Sequence, residues 1–390
     1  MNLLETSDET AFRQEVRTWM QGNLCAEFEP LRNSAGMGAP GYDAALAKRW
    51  EQRLASGGWI GLGWPLAHGG RGLPMAQQII FNEEYVCCGG PGRLGHIGET
   101  LMAPTLMVHG TAEQQRRFLP GILGGSTYWA QGYSEPGAGS DLAAISTRAD
   151  LDPESGEWVI QGQKVWTSWA QESDWIFLLA RCEPPAPGKS RHHGMVFLMV
   201  PLRQSGITIR PIREITGGTE FNEVFFDGAR TEGALHLGPP GQGWTVAMDL
   251  LGSERGASTL GQQAAFRREL DAVITVAKMN AAAQNPLLRQ RIAQAALGLQ
   301  TLRSHALRVS GGGAAERGSS VSKYAWSNWR RALGELAMDV LGPEAATEHD
   351  DPLRSSLQRL WLSSRSDTIY AGSNEIQLNL IAERALGMPR

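Results

Sequence analysis

Glu254 and Arg255 stand side by side in DLLGSERGAST, residues 249–259, where a core-facing helix would carry leucines. Trp244, Ala247, Met248 and Leu251 recur at helical spacing and make one apolar stripe; three or four residues further on, the stripe reaches this charged pair. A carboxylate held among apolar groups loses hydration, and its pKa rises toward working pH. That is the condition of a general base. The plainer reading is a structural Glu–Arg contact at an interface.

Three other stretches carry residues suited to holding a ligand. In QGYSEPGAGSD, residues 131–141, two glycines and two serines surround a Pro-Gly turn. Such a loop lets backbone N–H groups approach a polar or anionic group, and a tight structural turn is the alternative. Gly137 and Gly139 lack the third glycine of a dinucleotide fingerprint, and no Gly-Lys-Ser/Thr marks a phosphate loop. In QKVWTSW, residues 163–169, Trp166 offers a flat ring beside the hydroxyls of Thr167 and Ser168. A flavin needs a surface against its ring and a hydrogen bond near N5; an ordinary strand would use the tryptophan only for its core. In TIYAGSNEIQ, residues 368–377, Ser373 precedes a helix starting near Asn374. It caps that helix, and the cap could equally face a phosphate.

The elements that must position these residues fall into three blocks. Residues 8–125 read as helices, among them AFRQEVRTWMQGNL, ALAKRWEQRLASGG and AQQIIFNEEYVCCGG. In HGTAEQQRRFLPGILGG, Thr111 is an N-cap with Gln114 three residues later. From 127 the texture changes to short runs rich in β-branched and aromatic residues: GEWVIQGQKVWTSW, DWIFLLARC, GMVFLMVPL, ITIRPI and NEVFFDG. The insert EPPAPGKSRHHG between two of them reads as a loop whose paired histidines have no evident role. From 240 helices return, the first a long one running through the Glu254–Arg255 pair.

Composition bounds the function. The 390 residues suffice for two or three domains, with 42% hydrophobic and 19% charged residues, the profile of a folded protein. A net charge of -4 gives no electrostatic grip on nucleic acid. The four cysteines show no metal-ligand spacing and fit a reducing compartment. The opening MNLLETSDETAFRQE lacks the basic start and apolar run of a secretion signal, and no stretch is long enough to span a membrane. The expected location is cytoplasmic.

Taken together and in this order, the motifs resemble the acyl-CoA dehydrogenase family over nearly the whole chain. SEPGAGSD at 134–141 with GQKVWTS at 162–168 is the specific pair of signatures. HGTAEQQRRFLPGILGG, VFFDG and the closing IYAGSNEIQLNLIAERALG agree with it. The resemblance implies an α+β fold: an N-terminal helical domain (1–126), a middle β-domain (127–236) and a C-terminal four-helix bundle (237–390). It implies one FAD per subunit, between the β-domain and the bundle. It also implies oxidation of the Cα–Cβ bond of an acyl-CoA thioester to a trans-2-enoyl-CoA. Hydride passes from Cβ to flavin N5, and electrons then go to an electron-transferring flavoprotein.

Carried over by position, Gln131, Tyr133 and Ser134 lie against the flavin, and Ser140 near the cofactor or the CoA chain. Trp166 and Thr167 flank the ring system, and Ser168 is the N5 donor. Ser373 and Glu375 fall near the FAD phosphates and adenosine. Tyr370, Ala371 and Arg255 fall on the substrate side. Many members place the base just before the Gly-Thr or Gly-Ser of the C-terminal motif, which here is Ala371. A smaller branch, with isovaleryl- and long-chain acyl-CoA dehydrogenases, places a glutamate on the long helix immediately before an arginine. In this chain that glutamate is Glu254.

Two departures matter. The Arg-x-x-Phe-Gly loop that reaches the neighbouring subunit's FAD in many relatives is missing from AKMNAAAQNPLLRQR, and Asp339 replaces a glutamine that commonly contacts the partner's cofactor. Sequences of this texture include bacterial enzymes for bulky acyl groups, such as steroid side chains and dicarboxylic acyl-CoAs, some of them heteromeric. The expected assembly is a homo-oligomer, dimer or tetramer, with a hetero-oligomer as the alternative. Two other functions stay open: a non-catalytic or partner-dependent subunit, and an acyl-CoA oxidase or flavin monooxygenase on the same fold. No metal is expected.

Overall fold

The computed structural model describes residues 5–34, 36, 41–184, 187–253, 258–310 and 315–389. Its order is helical, β, helical. The first helices are α1 (Ser7–Asn23), α2 (Ala44–Ser56), α3 (Met75–Cys87), α4 (Ala103–His109) and α5 (Ala112–Leu123). Their starts follow local chemistry. The Asp43 side chain accepts from Leu46 N–H at α2, and Thr111 and Gln114 close a full capping box at α5, as the spacing predicts.

Eight strands follow: β1 (Trp129–Gly132), β2 (Arg148–Leu151), β3 (Glu157–Ser168), β4 (Trp175–Arg181), β5 (Met195–Pro201), β6 (Ile207–Pro211), β7 (Phe221–Glu232) and β8 (His236–Gly241). They form one sheet in the order β6-β7-β3-β2-β4-β5-β8, with β1 pairing β4 in parallel. The continuous apolar runs of β4 and β5 have both faces covered. Phe177, Leu179, Phe197 and Met199 enter one core; Ile176, Leu178, Val196 and Leu198 enter another. Each such side chain contributes about 1.5–3 kcal/mol by leaving water. The first core is completed by Leu106, Phe118 and Ile122 from α4 and α5, and by Val246, Ala247 and Leu250 from α6 (Gly243–Ser253). Of the predicted stripe on α6, Ala247 is buried and Trp244, Met248 and Leu251 are half-buried against the same core.

The remaining helices are α7 (Ser258–Met279), α8 (Pro286–Ser310), α9 (Ala315–Leu341), α10 (Pro352–Ser364) and α11 (Asn374–Leu380). Helices α7 to α10 pack around a third core that includes Leu270, Val273, Leu333, Leu336, Leu357 and Leu360. The chain forms two compact units. One holds the start of α1, α3 and α7–α11; the other holds the rest of α1, α2, α4–α6 and the sheet. In the first unit α3 packs on α7, and Arg303 of α8 bonds Glu83 of α3 at 3.1 Å. Among the described residues no helix is long and apolar enough to cross a membrane.

Candidate active site

In the sheet unit, strand β3 pairs with β7 through Lys164↔Val224 and then Thr167↔Asn222. Two residues, Val165 and Trp166, therefore oppose one, Glu223, which is a β-bulge. The bulge frees Val165 N–H from the ladder, and it donates instead to the carbonyl of Ser134 at 2.9 Å. It also turns Trp166 outward. This residue has φ +59°, and its ring, edge-on to Phe221 at 6.0 Å, is 57% exposed. A bulky residue in the left-handed region costs about 1–3 kcal/mol and persists only where its surroundings hold it.

Lys164, just before the bulge, does much of the holding. Its side chain is fully buried, and its ammonium donates to Tyr133 O (3.1 Å), Leu179 O (2.8 Å) and Glu135 Oε1 (2.8 Å). The Glu135 carboxylate also accepts from Ser146 N–H (2.6 Å), the Ser146 hydroxyl (2.8 Å) and Thr147 N–H (3.0 Å). Burial alone would raise the Glu135 pKa, but the Lys164 charge and these donors outweigh it and hold it at about 2. Burial lowers Lys164 to about 8, against the pull of Glu135.

Beyond Glu135 the loop closes on itself. Glu135 N–H bonds Ala138 O at 2.9 Å and Ala138 N–H bonds Glu135 O at 3.0 Å, across Pro136 and Gly137. A Cβ on Gly137 or Gly139 would meet nothing within 4 Å, so the loop backbone is open on that side. Its far end is held by Arg191, which bonds Asp141 at 2.6 Å, and by Arg181, which bonds Ala143 O at 2.7 Å. Ser134 is half-buried and Ser140 exposed; Gln131 is half-buried on β1 opposite Phe177. An outward indole, serine hydroxyls and an open glycine backbone suit a planar cofactor with a polar tail. Ser168, half-buried opposite Phe221, fits the same arrangement.

Two residues expected there are buried. The Tyr133 ring is buried, edge-on to Phe177 and Phe197, so it belongs to the core. Thr167 is fully buried, and its carbonyl accepts from Asn222 Nδ2 at 3.0 Å. Its hydroxyl is buried with no hydrogen-bond partner among the described residues, so a bound ligand could supply one. The insert before β5 also differs from its reading. His192 stacks flat on Trp244 of α6, with ring centroids 4.2 Å apart, so one of the paired histidines packs on that helix.

In the other unit, Tyr370, Ala371 and Ser373 lie between α10 and α11, and Glu375 lies in the first turn of α11. The Ser373 hydroxyl accepts from Ile376 N–H at 3.4 Å, capping α11 as expected. Ala371 has φ +52° and is exposed. Buried Asp367 anchors the loop, accepting from the Tyr370 hydroxyl and from Arg330 of α9. Asn374 accepts from the Ser327 hydroxyl at 2.9 Å. Glu375 is exposed, its pKa lowered by its own N–H and the Ser373 hydroxyl. Glu254 and Arg255 lie outside the described residues; α6 is described up to Ser253.

The motifs and geometry agree with comparisons against known proteins. The family models for the acyl-CoA dehydrogenase N-terminal, middle and C-terminal domains match residues 6–126, 130–229 and 241–386. Acyl-CoA dehydrogenase IpdE1 of Mycobacterium tuberculosis (strain ATCC 25618 / H37Rv) is 52% identical over 388 residues, covering 98% of both chains. The chain belongs to the acyl-CoA dehydrogenase family. It has the three-part acyl-CoA dehydrogenase fold and is an FAD flavoenzyme. Similar solved structures include one titled Tcur3481-Tcur3483 steroid ACAD, with TM-score 0.86, 28% identity and full coverage of both chains. Another is the ChsE4-ChsE5 complex from Mycobacterium tuberculosis, with TM-score 0.82, 27% identity and the same coverage. In this acyl-CoA dehydrogenase, Glu135 and Lys164 support the first two signature stretches and Arg330 and Asp367 the third, and their types and spacing do not mark them for that role. A lysine inside the apolar run KVW was the one available signal.

Proposed function

We propose that the enzyme oxidises the Cα–Cβ bond of a bulky, ring-bearing acyl-CoA thioester, with Glu254 as the base that removes the α-proton. The observation that carries the base assignment is Ala371. It occupies the loop position where many relatives carry the catalytic carboxylate, and it has no group to accept a proton. The sequence then offers Glu254, at the end of the apolar stripe, with Arg255 beside it to meet the CoA chain or steady the helix.

FAD, when bound, supplies the acceptor for the hydride that leaves the β-carbon. Trp166 gives its ring a wall, and Ser168 a hydroxyl donor. Gln131, Ser134 and the Tyr133 backbone line the loop side, with Ser140 toward the CoA chain. Glu375 stays ionised, which suits an acceptor for ribose hydroxyls better than a neighbour of phosphate. Ser373 caps the helix beside it, and Tyr370 borders the substrate side.

The ring-bearing substrate is proposed from the similarity to an enzyme titled a steroid ACAD. A second, different subunit is proposed because the ChsE4-ChsE5 relative is a complex of two named chains. Electron-transferring flavoprotein is the proposed electron acceptor, and the cytoplasm the proposed location.

Anaerobic titration of the yellow protein with straight, branched, aromatic and steroid acyl-CoAs tests this reading. Bleaching by ring-bearing thioesters and not by short straight chains is expected. Bleaching by straight chains alone removes the substrate class. A colourless protein that acts only with a partner is an accessory subunit, and rapid reoxidation by oxygen marks an oxidase.

A further inference from the structure

We propose that Lys164 is a positioning residue for the flavin. Paired with Glu135, it fixes the spacing between the Ser134 backbone and the bulge that carries Trp166 and Ser168. The proposal rests on the reading that these two segments meet the flavin.

The first argument is that stability gives no reason for an ammonium here. A fully buried ion pair is often no better for the fold than apolar side chains of the same volume, because both charges must leave water. Methionine would fill much the same space. What methionine cannot do is direct three hydrogen bonds into two other chain segments at once.

The second argument is where those bonds go. Tyr133 O, bonded at 3.1 Å, immediately precedes Ser134. Glu135, bonded at 2.8 Å, immediately follows it. Ser134 O is itself held by Val165 N–H, next in sequence to Lys164. Ser134 is therefore gripped on both sides and at its own carbonyl by two consecutive residues of β3. The residue after those two is Trp166. The third bond, to Leu179 O on β4 at 2.8 Å, ties the assembly to the centre of the sheet. Glu135 is fixed in turn by Ser146 and Thr147, so the carboxylate cannot follow the ammonium if the strand shifts. Neither charged group reaches solvent, with side-chain exposures of 0% for Lys164 and 3% for Glu135. Any effect on the cofactor must pass through the backbone they hold.

The decisive variant is the pair Lys164→Met with Glu135→Gln. It removes both charges together and keeps one amide oxygen, which can accept from the Ser146 N–H and hydroxyl but not from Thr147 N–H as well. The expected result is a cooperatively folding protein whose apo form binds FAD with Kd raised about tenfold or more, the usual scale for losing a residue that orients a ligand's contacts. Bound FAD should show an altered visible circular dichroism spectrum. A folded pair variant with wild-type Kd and an unchanged flavin spectrum would overturn the proposal. Trp166→Ala and Ser168→Ala separate the two readings. If they perturb the flavin and the pair variant does not, the positioning role alone is lost; if none of the three does, the segments do not meet the flavin. Should the pair variant fail to fold, amide exchange in wild-type apo-protein decides. Val165 should exchange as slowly as Leu178 in the sheet centre, and exchange as fast as Gly137 in the open loop would overturn the clamp.

Discussion

The Tyr370 hydroxyl donates to Asp367 Oδ1 at 3.0 Å, and Arg330 grips the same carboxylate from α9 at 2.9 Å. Asp367 is 1% exposed, and Arg330 also bonds Glu269 at 2.7 Å. Two substitutions should therefore differ sharply. Tyr370→Phe removes one hydrogen bond and leaves the carboxylate paired, at a cost of about 0.5–1.5 kcal/mol. Asp367→Ala leaves Arg330 half-paired away from water, at a cost of about 3–5 kcal/mol. Urea unfolding of the two variants measures both. Equal losses would mean that the arginine does not depend on this partner.

Trp166 gives the opposite kind of prediction. Replacing a buried tryptophan costs about 3–5 kcal/mol, but most of this ring lies outside the core. Trp166→Gly also removes the left-handed strain, against which glycine's greater freedom in the unfolded chain works. The apo-protein should change by less than about 1 kcal/mol, while FAD binding weakens. A large loss of apo stability would show that the indole serves the fold rather than the cofactor.

The split between what was legible and what was not follows the range of the forces involved. Caps at Thr111 and Ser373 involve groups a few residues apart, so the motif and its hydrogen bonds coincide. The apolar runs of β4 and β5 announce burial because every residue has a core to enter. β8 does not read as a strand, since HLGPPG carries two prolines; it pairs with β5 through Leu237 and His236 only. β1 and β2, of four residues each, are too short to show a period. The bulge at Val165 and Trp166 is invisible in KVWTS because it is a relation to β7, some sixty residues away.

A pH effect is expected from Glu220. Burial, then the nearby Glu214 carboxylate, raises its pKa from 4.5 to about 7. Glu214 also accepts from Glu220 N–H at 2.7 Å, which holds the two residues together. Below the unfolded value both folded and unfolded chains carry the proton, and there is no penalty. As pH rises toward 7 the unfolded chain releases its proton first, so stability falls; above 7 the penalty is complete. Glu220→Gln cannot ionise. It should match wild type near pH 4 and be more stable by about 1–3 kcal/mol near pH 8. Melting curves at both values check this, and a gain that does not depend on pH would mean the carboxylate is not strained by its charge.

The base assignment makes the last prediction. Glu254→Gln keeps the size and hydrogen-bonding shape of the side chain but cannot accept the α-proton. FAD binding should survive, because none of the residues proposed to hold the cofactor is altered. Loss of a general base typically costs ~10²–10⁴ in rate, and a closed pocket that excludes water from the role favours the upper end. Ala371→Glu in the same background puts a carboxylate at the other base position of the family. Ala371 already has φ +52°, so a longer unbranched side chain meets no new backbone strain there. Partial rescue is expected for a slim acyl chain and less for a ring system, which the new side chain would crowd. Single-turnover bleaching of the flavin measures both effects. Near-normal bleaching by Glu254→Gln would remove the assignment. Rescue that favours the slim substrate would show that a carboxylate at either position can serve as the base.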